Sequence, residues 1–526
     1  MEPKQPHVCV AICKRSINAL QSAGHRASGE GDLVELRLDC LDEDEFKSGV
    51  EQLKKLLHNF PVPTIVTYRP DEQGGSSNAN FESRFAFWNR QGLSLGSHLS
   101  DIELDIVQEF SLAGESGSGA QVDWSGVICS HHDFLGVPAN VAQIYEALRA
   151  TPARILKIAV KANDATDCLP VFQILERALK DGREMIAIAM GTAGLATRIL
   201  GPSRGAFLTY AALEDELGTA PGQISARELK QVYRIEKIDR QTQIFGLMGL
   251  PVGHSISPWM HNAAFEAMAI NAVYLPFEVR DVKAFIKSMI HPRTRELDWN
   301  LRGLSITAPH KSAVMDELDW IDPAAEGIGA VNTIVVEDGG LHGYNTDARG
   351  LINPLVQKFG ELRGARCAVL GAGGAARAAL WGLSQEGAES KLFARDPAKA
   401  EVLAEKFDAV SETLGEAGFD GFDVVINTTP LGTVGEFEAD TPATSHQLRG
   451  ARLAYDLVYN PTETLFLRGA REAGCETLGG LSMLIAQAAE QFKLWTGADA
   501  FEGVMYEAAK QALYRSDPVR QDLYDL

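Results

Sequence analysis

Long hydrophobic runs are missing from this sequence. No stretch of about 18 apolar residues occurs, so a membrane-spanning helix is not expected. The opening residues MEPKQPHVCV carry neither the apolar core of a secretory signal nor an Arg/Ser-rich transit pattern, and a cytoplasmic protein is expected. Cysteine is scarce and scattered. The seven thiols (Cys9, Cys13, Cys40, Cys129, Cys168, Cys367 and Cys475) form no C-x-x-C pair, and most lie in apolar stretches. Reduced thiols are therefore expected, with neither disulfides nor a metal site. Positive charge is short as well: 49 Lys+Arg stand against 70 Asp+Glu, a formal net charge of −21. That balance argues against nucleic acid or an anionic membrane as partner, and an anionic small molecule would need local cationic pockets. No long Gly/Ser- or Pro-rich linker divides the chain, yet 526 residues are too many for one ordinary core. Two or three domains held at short distance are expected.

What is present is organised around Arg366–Leu383, RCAVLGAGGAARAALWGL. A short apolar strand, Cys367–Leu370, runs through Gly371, Ala372, Gly373, Gly374 and Ala375 into an Ala/Leu-rich helix. Such a turn offers free backbone N–H groups and the helix dipole to an anion, as in a dinucleotide pyrophosphate site. The pattern falls short of the full G-x-G-x-x-G, and a glycine turn that binds nothing is the bland alternative. About 24 residues beyond Gly371, Arg395 and Lys399 follow the next strand, at the place where such a unit chooses its ribose. Two cations there suit a 2′-phosphate, so NADP is read over NAD. Asp396 between them either caps a helix or opposes the phosphate.

In the first half, short apolar strands recur roughly every 20 to 35 residues, the spacing of alternating strands and helices: Val8–Ile12, Leu33–Leu38, Thr64–Tyr68, Asp101–Leu104, Gly126–Ser130, Arg154–Val160, Glu184–Ala189 and Ala206–Thr209. Helical stretches such as Asp44–Leu57, Val141–Ala150 and Cys168–Lys180 lie between them. Eight such strands suggest a (β/α)8 TIM barrel, whose chemistry sits where the strands end. Polar residues fall there. Glu35, Arg37 and Asp39 share one face of strand two, Arg69 ends strand three, and His131-His132-Asp133 ends strand five. Lys157 lies within RILKIAV, among apolar neighbours. Desolvation there would lower its pKa and make it a Schiff-base nucleophile, with His132 as proton shuttle. The bland alternative is a structural pair with Glu35 or Asp39.

As an ordered set, ELRLD (Glu35–Asp39), TYR (Thr67–Arg69), SHHDF (Ser130–Phe134), KIAV from Lys157, TR (Thr197–Arg198) and APGQ (Ala220–Gln223) make residues 7 to 225 resemble type I 3-dehydroquinate dehydratase. The resemblance implies an imine between Lys157 and the ring ketone of 3-dehydroquinate, with His132 as general acid and base. It also implies that Glu35, Arg37, Arg69, Arg198, Thr219 and Gln223 hold the substrate, an arginine facing its carboxylate. Gln73 stands where the family commonly has Glu, and Thr219 where it often has Ser.

After Gln223, Ser225 and Glu228 form a capping box that opens a short helix to about Arg234. The first domain is read as 1–237. Beyond a fresh strand, Gln243–Leu247, come Ser255, Ser257 followed by Pro258, the strand Leu304–Thr307, Lys311, Gly329–Thr333 and Gly343–Asp347. Ser257 with Pro258 reads as a helix cap, which leaves Ser255 free of that role. Lys311 alone would be an ordinary surface charge; as a dyad with Asp347 it can move a proton to an alkoxide.

HSISPWMHN, LSITAPHK, GAVNT, GYNTDARG, VLGAGGAARAA, VVINTTPLG, YDLVYNP and GGLSMLIAQAAEQFKLWTG together make residues 243 to about 515 resemble shikimate dehydrogenase. The resemblance implies Lys311 and Asp347 as the catalytic pair. Ser255, Ser257, Thr307, Asn332, Tyr459 and Gln487 would contact the substrate. Gly371, Ala372, Gly373, Gly374, Ala375, Arg395, Lys399, Asn427, Thr428, Gly480 and Met483 would hold NADP(H). A substrate-binding lobe at 238–350, completed by C-terminal helices at 481–526, and a Rossmann NADP-binding lobe at 351–480 are implied. The two resemblances imply successive steps from 3-dehydroquinate through 3-dehydroshikimate to shikimate, in chorismate biosynthesis, with no metal. Two rivals stand beside this: an NAD-preferring quinate/shikimate dehydrogenase with a dehydratase module, and a catalytically silent metabolite-sensing regulator. Oligomeric state is not fixed by the sequence, a monomer being one option.

Overall fold

The computed structural model describes residues 7–48, 52, 55, 57–58, 60–76, 79–91, 98–115, 122–213, 218–415 and 417–515. By compactness the chain divides into Met1–His254 with Asn271–Leu301, and Ser255–Ile270 with Arg302–Leu526.

In the first unit eight parallel strands curl into a nearly closed barrel: β1 (Val8–Cys13), β2 (Leu33–Arg37), β3 (Thr64–Thr67), β4 (Leu99–Glu103), β5 (Val127–Asp133), β6 (Ile155–Lys161), β7 (Glu184–Met190) and β8 (Thr209–Ala211). Their order is β7-β6-β5-β4-β3-β2-β1-β8. The last strand is shifted from its expected place at 206–209. Ala206 touches β7 only through an isolated bridge to Met185, whereas the ladder with β1 begins at Val8↔Thr209. The expected helix Asp44–Leu57 is helical over Glu43–Ser48 and again at residues 52, 55 and 57, and the residues between lie outside those described.

Alternation with period two turns every second side chain of a strand into the barrel. Leu33, Ile65, Ile128, Ile155 and Ile186 belong to one buried apolar cluster, with Leu99 packed against it. Two residues further along the same strands stand Glu35, Thr67, Ser130, Lys157 and Asp101, and beyond them Arg37, Arg69, His132 and Glu103. The barrel is thus filled in layers, apolar below and largely polar above except for Ala159 of β6 and Ile188 and Met190 of β7, and the polar layers lie towards the C-terminal ends of the strands. The strand-to-strand register Ser130↔Lys157 and Thr67↔Asp101 sets their relative heights.

One expectation is overturned here. Cys13, closing β1, and Cys40, just past β2, form a disulfide with Cα atoms 5.4 Å apart, while the other five cysteines are free and buried. Their separation of 27 residues matches no local motif, and only the neighbouring of β1 and β2 brings them together. The first unit also contains β9 (Gln243–Gly249) and β10 (Ala272–Glu278), paired in parallel.

The second unit contains β11 (Leu301–Ile306), β12 (Trp320–Ile321), β13 (Thr333–Glu337) and β14 (Gly340–Tyr344). β13 runs antiparallel to β11 and β14, and β12 parallel to β14. Its other sheet is wholly parallel: β15 (Arg366–Leu370), β16 (Glu389–Ala394), β17 (Val410–Thr413), β18 (Val424–Asn427), β19 (Leu453–Asp456) and β20 (Glu476–Leu478). The order β17-β16-β15-β18-β19-β20 is the doubly wound arrangement, with its switch point between β15 and β18. Helix Asp347–Phe359 packs against helix Gly480–Thr496. Gly350 permits that approach, because a Cβ there would stand 2.5 Å from Gln487. Among the described residues, no helix is long and apolar enough to cross a membrane.

Candidate active sites

The upper layer of the barrel surrounds a cavity lined by Glu35, Arg37, Arg69, Gln73, His132, Lys157, Arg198, Tyr210, Thr219 and Gln223, with Phe134, Ala159, Ile188 and Met190 among its apolar walls. The eight barrel residues that the resemblance implies for the site therefore border one space, whereas Asp39, His131 and Asp133 are not among its lining. Lys157 is buried, but its surroundings differ from the apolar ones expected. Its Nζ donates to Asp101 Oδ2 at 2.6 Å and to the Tyr210 hydroxyl at 3.1 Å, and lies 3.9 Å from Glu35. A buried ammonium needs such partners, and the barrel supplies them from strands β2, β4 and β8.

Asp101 also faces Arg69 at 2.7 Å. Burial alone would raise its pKa, but Arg69 and Lys157 outweigh it and hold the carboxyl well below the usual range. Arg69 continues to Glu103, which is bound in turn by Arg84. Glu103 is pushed up to about 7 by burial, against the pull of Arg69. Neither Asp101 nor Glu103 was singled out from the sequence. The signal was available: two acids two apart in a strand, the same alternation that marks Glu35 and Arg37.

His132 stands in this cationic company, with the Arg69 guanidinium donating to its ring. Burial first, then Arg69, Lys157 and Arg37, lower its pKa well below 6.5, so the ring is neutral at neutral pH. Gln73 Oε1 accepts from the His132 backbone N–H at 3.2 Å. Arg37 is clamped by Asp39 through two hydrogen bonds of 2.9 and 2.7 Å. Thr219 donates to Gln223 Oε1 at 3.3 Å, folding the 219–223 loop onto itself.

Arg198 is different. It is 1 % exposed, and among the described residues its guanidinium donates to the carbonyls of Tyr210 (3.4 Å) and Pro221 (3.3 Å). No carboxylate among the described residues pairs with it, and burial lowers its pKa to about 10. A buried cation that borders a cavity and pairs with no described carboxylate suits an anionic ligand.

The second unit holds a second cluster. Lys311 Nζ donates to Asp347 Oδ2 at 2.5 Å, and Asn332 Nδ2 donates to Asp347 Oδ1 at 2.8 Å. Asn345 Oδ1 accepts from the Asp347 backbone N–H at 3.0 Å, fixing the acid at the start of its helix. The Asn332 amide also reaches Gln487 Oε1 at 3.4 Å. Lys311, Asp347, Asn332 and Gln487 are thus joined directly, while Ser255, Ser257, Thr307 and Tyr459 are half-buried residues outside this hydrogen-bonded set. The serines exchange expected roles. Ser257 is the first residue of helix Ser257–Ala267, and it is the Ser255 hydroxyl that accepts from the Ser257 N–H, at 3.2 Å.

At the switch point Gly371 has φ 115, and a Cβ there would meet Thr428 Oγ1 at 2.8 Å. Gly373 and Gly374, at the start of helix Gly374–Gln385, have no atom within 4 Å of such a Cβ, so their smallness serves no packing inside the protein. A helix N-terminus approachable along its backbone fits a pyrophosphate. Ala372 and Ala375 flank these glycines. Arg395 and Lys399 are exposed beyond β16, and the ambiguity over Asp396 resolves to capping: its carboxylate accepts from the Lys399 N–H at 3.2 Å. Asn427 and Thr428 hold loop and strand together, Asn427 Nδ2 donating to Asp456 at 2.9 Å and the Thr428 hydroxyl to the Leu370 carbonyl at 2.7 Å. Met483 packs against the core of this sheet, one turn from Gln487 on helix Gly480–Thr496, whose first residue is Gly480. Among the described residues no group of three or more His, Cys, Asp or Glu could hold a metal.

Comparison with known proteins falls along the same division. The family model for type I 3-dehydroquinase matches residues 8–240. That for the shikimate dehydrogenase substrate binding domain matches 247–334, and that for the shikimate 5'-dehydrogenase C-terminal domain matches 480–510. The chloroplastic bifunctional 3-dehydroquinate dehydratase/shikimate dehydrogenase of Arabidopsis thaliana is 33% identical over 515 residues, covering 94% of this chain and 82% of the relative. The shikimate dehydrogenase (NADP(+)) of Caldanaerobacter subterraneus subsp. tengcongensis is 42% identical over 281 residues, covering 52% of this chain and 98% of its own. A crystal structure of a shikimate dehydrogenase in complex with NADP+ matches with a TM-score of 0.50 at 36% identity, over 52% of this chain and 97% of that one.

Proposed function

Because this chain belongs to the family of bifunctional 3-dehydroquinate dehydratase/shikimate dehydrogenases, enzymes of the shikimate pathway, we propose a division of labour between its two clusters. The barrel, spanning 1–237, dehydrates 3-dehydroquinate to 3-dehydroshikimate. The remainder, with a substrate lobe at 238–350 completed by helices at 481–526 and a cofactor lobe at 351–480, reduces that ketone to shikimate.

In the barrel, Arg198 receives the substrate carboxylate, and Glu35, Arg37, Arg69, Thr219 and Gln223 hold the ring and its hydroxyls. Lys157 attacks the ketone and forms an imine, which acidifies the neighbouring C–H bond. His132, neutral because burial and the surrounding cations disfavour its charged form, takes that proton and returns it to the departing hydroxyl as water leaves. The observation that carries this reading is the buried Arg198, paired with no carboxylate among the described residues and bordering the same cavity as Lys157 and His132.

In the second cluster, Gly371, Ala372, Gly373, Gly374 and Ala375 hold the pyrophosphate of NADPH, while Arg395 and Lys399 receive its 2′-phosphate. Asn427 and Thr428 shape the wall of that site, and Gly480 and Met483 border the nicotinamide. When bound, NADPH supplies a hydride. Lys311 donates the proton that the ketone oxygen then requires, and Asp347, held by Asn332 and the Asn345 side chain, keeps the ammonium in place. Ser255, Ser257, Thr307, Tyr459 and Gln487 bind the substrate's hydroxyls and carboxylate.

The imine is testable directly. Borohydride added with 3-dehydroquinate should fix a stable adduct on Lys157, visible by peptide mass, and the Lys157→Ala protein should form none. Absence of an adduct on the wild-type chain contradicts the barrel mechanism.

A further inference from the structure

Tyr210 touches the reacting nitrogen. It lies in β8, is buried, and its phenol oxygen accepts from Lys157 Nζ at 3.1 Å, with that Nζ 4.4 Å from the ring centroid. Its backbone carbonyl accepts from Arg198 Nη1 at 3.4 Å. One residue therefore fixes both the amine and the cation that faces the carboxylate.

Imine formation makes a demand that the other groups here meet poorly. When an amine adds to a ketone, a proton must pass from nitrogen to the new alkoxide, and direct transfer runs through a strained four-membered ring. A hydroxyl in contact with the nitrogen can take one proton and give another. Asp101 is ionised and engaged by both Lys157 and Arg69, so it has no proton to give. The Glu35 carboxylate accepts from the Thr67 hydroxyl at 2.7 Å.

We propose that Tyr210 is a catalytic residue of the barrel, relaying a proton from the Lys157 nitrogen to the substrate's ketone oxygen as the imine forms; this rests on the Schiff-base reading above. Once the Lys157 ammonium has released one proton to solvent, the amine's lone pair forms the N–C bond while the C=O π pair moves onto oxygen. The phenol oxygen takes a hydrogen from nitrogen and passes its own hydrogen to the alkoxide. The product is a neutral carbinolamine, and the tyrosine is returned unchanged. Burial pushes the phenol well above its ordinary pKa, with Glu35 adding to the effect, so Tyr210 remains a neutral donor across the working pH range. His132 is left for the C–H proton and the departing hydroxyl.

The test is the rate of imine formation, measured by rapid mixing of the full chain with 3-dehydroquinate and quenching in borohydride, for wild type and Tyr210→Phe. Phenylalanine keeps the ring over Lys157 and removes only the hydroxyl. The relay predicts an imine-forming rate lower by about 10²-fold, with KM changed less than threefold and the final yield of adduct on Lys157 unchanged. A purely structural tyrosine predicts an unaltered rate, and that result overturns the proposal. The wild-type chain alone gives a second reading: in H2O/D2O mixtures a two-proton relay makes the imine-forming rate curve with deuterium fraction, and a linear dependence overturns it. Failure of the wild type to form any adduct removes the Schiff-base reading itself and the relay with it. Adduct formed at an equal rate by both proteins removes the relay alone.

Discussion

The lysines at the centres of the two clusters sit in opposite surroundings. The Lys157 side chain is 5% exposed and meets two carboxylates and a phenol inside a barrel. The Lys311 side chain is 30% exposed and meets one carboxylate at the edge of a sheet and a helix. The contrast follows from what each is proposed to do. A nucleophile that forms a covalent bond is here a buried amine whose charge must be balanced, and Lys157 stands in a chain of ion pairs running through Asp101, Arg69, Glu103 and Arg84. A proton donor needs only to be held at one distance, and Asp347 with Asn332 is enough for that.

The sharpest way to break the comparison is to remove each lysine in turn. Lys157→Ala should lower the dehydration rate by roughly 10⁴-fold or more, since no alternative covalent route exists, and leave reduction of 3-dehydroshikimate within twofold. Lys311→Ala should lower reduction by about 10²–10⁴-fold and spare dehydration. Steady-state assays of the two half-reactions decide it, and loss of both activities in either variant would contradict the separation.

Arg198→Met comes next. Loss of a charge-assisted contact with the carboxylate should reduce dehydratase kcat/KM by roughly 10–100-fold. The melting temperature of the barrel should hold or rise, because a buried cation paired with no carboxylate among the described residues is removed. A drop in melting temperature would show that Arg198 is structural.

A pH series sharpens the contrast further. His132 has its pKa lowered, chiefly by burial and then by Arg69 and Lys157, so it stays neutral where a free imidazole would charge. Dehydratase kcat/KM should therefore show no acid limb centred on pH 6.5. The unfolded chain binds a proton at His132 below about 6.5 while the folded chain resists it, so this residue withdraws stability as pH falls through that value. Gln73→Glu places a carboxylate beside His132 and should move an acid limb upward towards neutrality. An unchanged profile in that variant would mean that the two side chains do not interact.

The smallest expected effect is at the cofactor. Arg395→Ala should raise KM for NADPH by about tenfold, as befits one exposed charge on a phosphate, with kcat little changed. Equal use of NADH and NADPH by the unaltered chain would instead favour the NAD-preferring rival.

Much of this was legible in the sequence because it rests on local order. Eight apolar strands spaced by helices announced the barrel, and the turn from Leu370 through Gly371 to Gly374 announced the doubly wound sheet. What escaped were relations across strands. Tyr210 fell outside an eighth strand placed two to three residues early, so its parity with the barrel interior was lost. Asp101 and Glu103 lie within the expected strand Asp101–Leu104, but their importance comes from the register Thr67↔Asp101 beside Lys157, which no single segment carries. The Cys13–Cys40 disulfide likewise depends on two strands being neighbours. Asp396, undecided in the sequence, needed only the position of the Lys399 N–H to become a helix cap.

The central claim is that one chain carries both steps, and it is tested most directly by mixing the purified protein with 3-dehydroquinate and NADPH alone while following NADPH absorbance. Steady loss of NADPH, with shikimate as the product, is the predicted result. No loss, when the same protein does oxidise NADPH on direct addition of 3-dehydroshikimate, would contradict the account at the barrel.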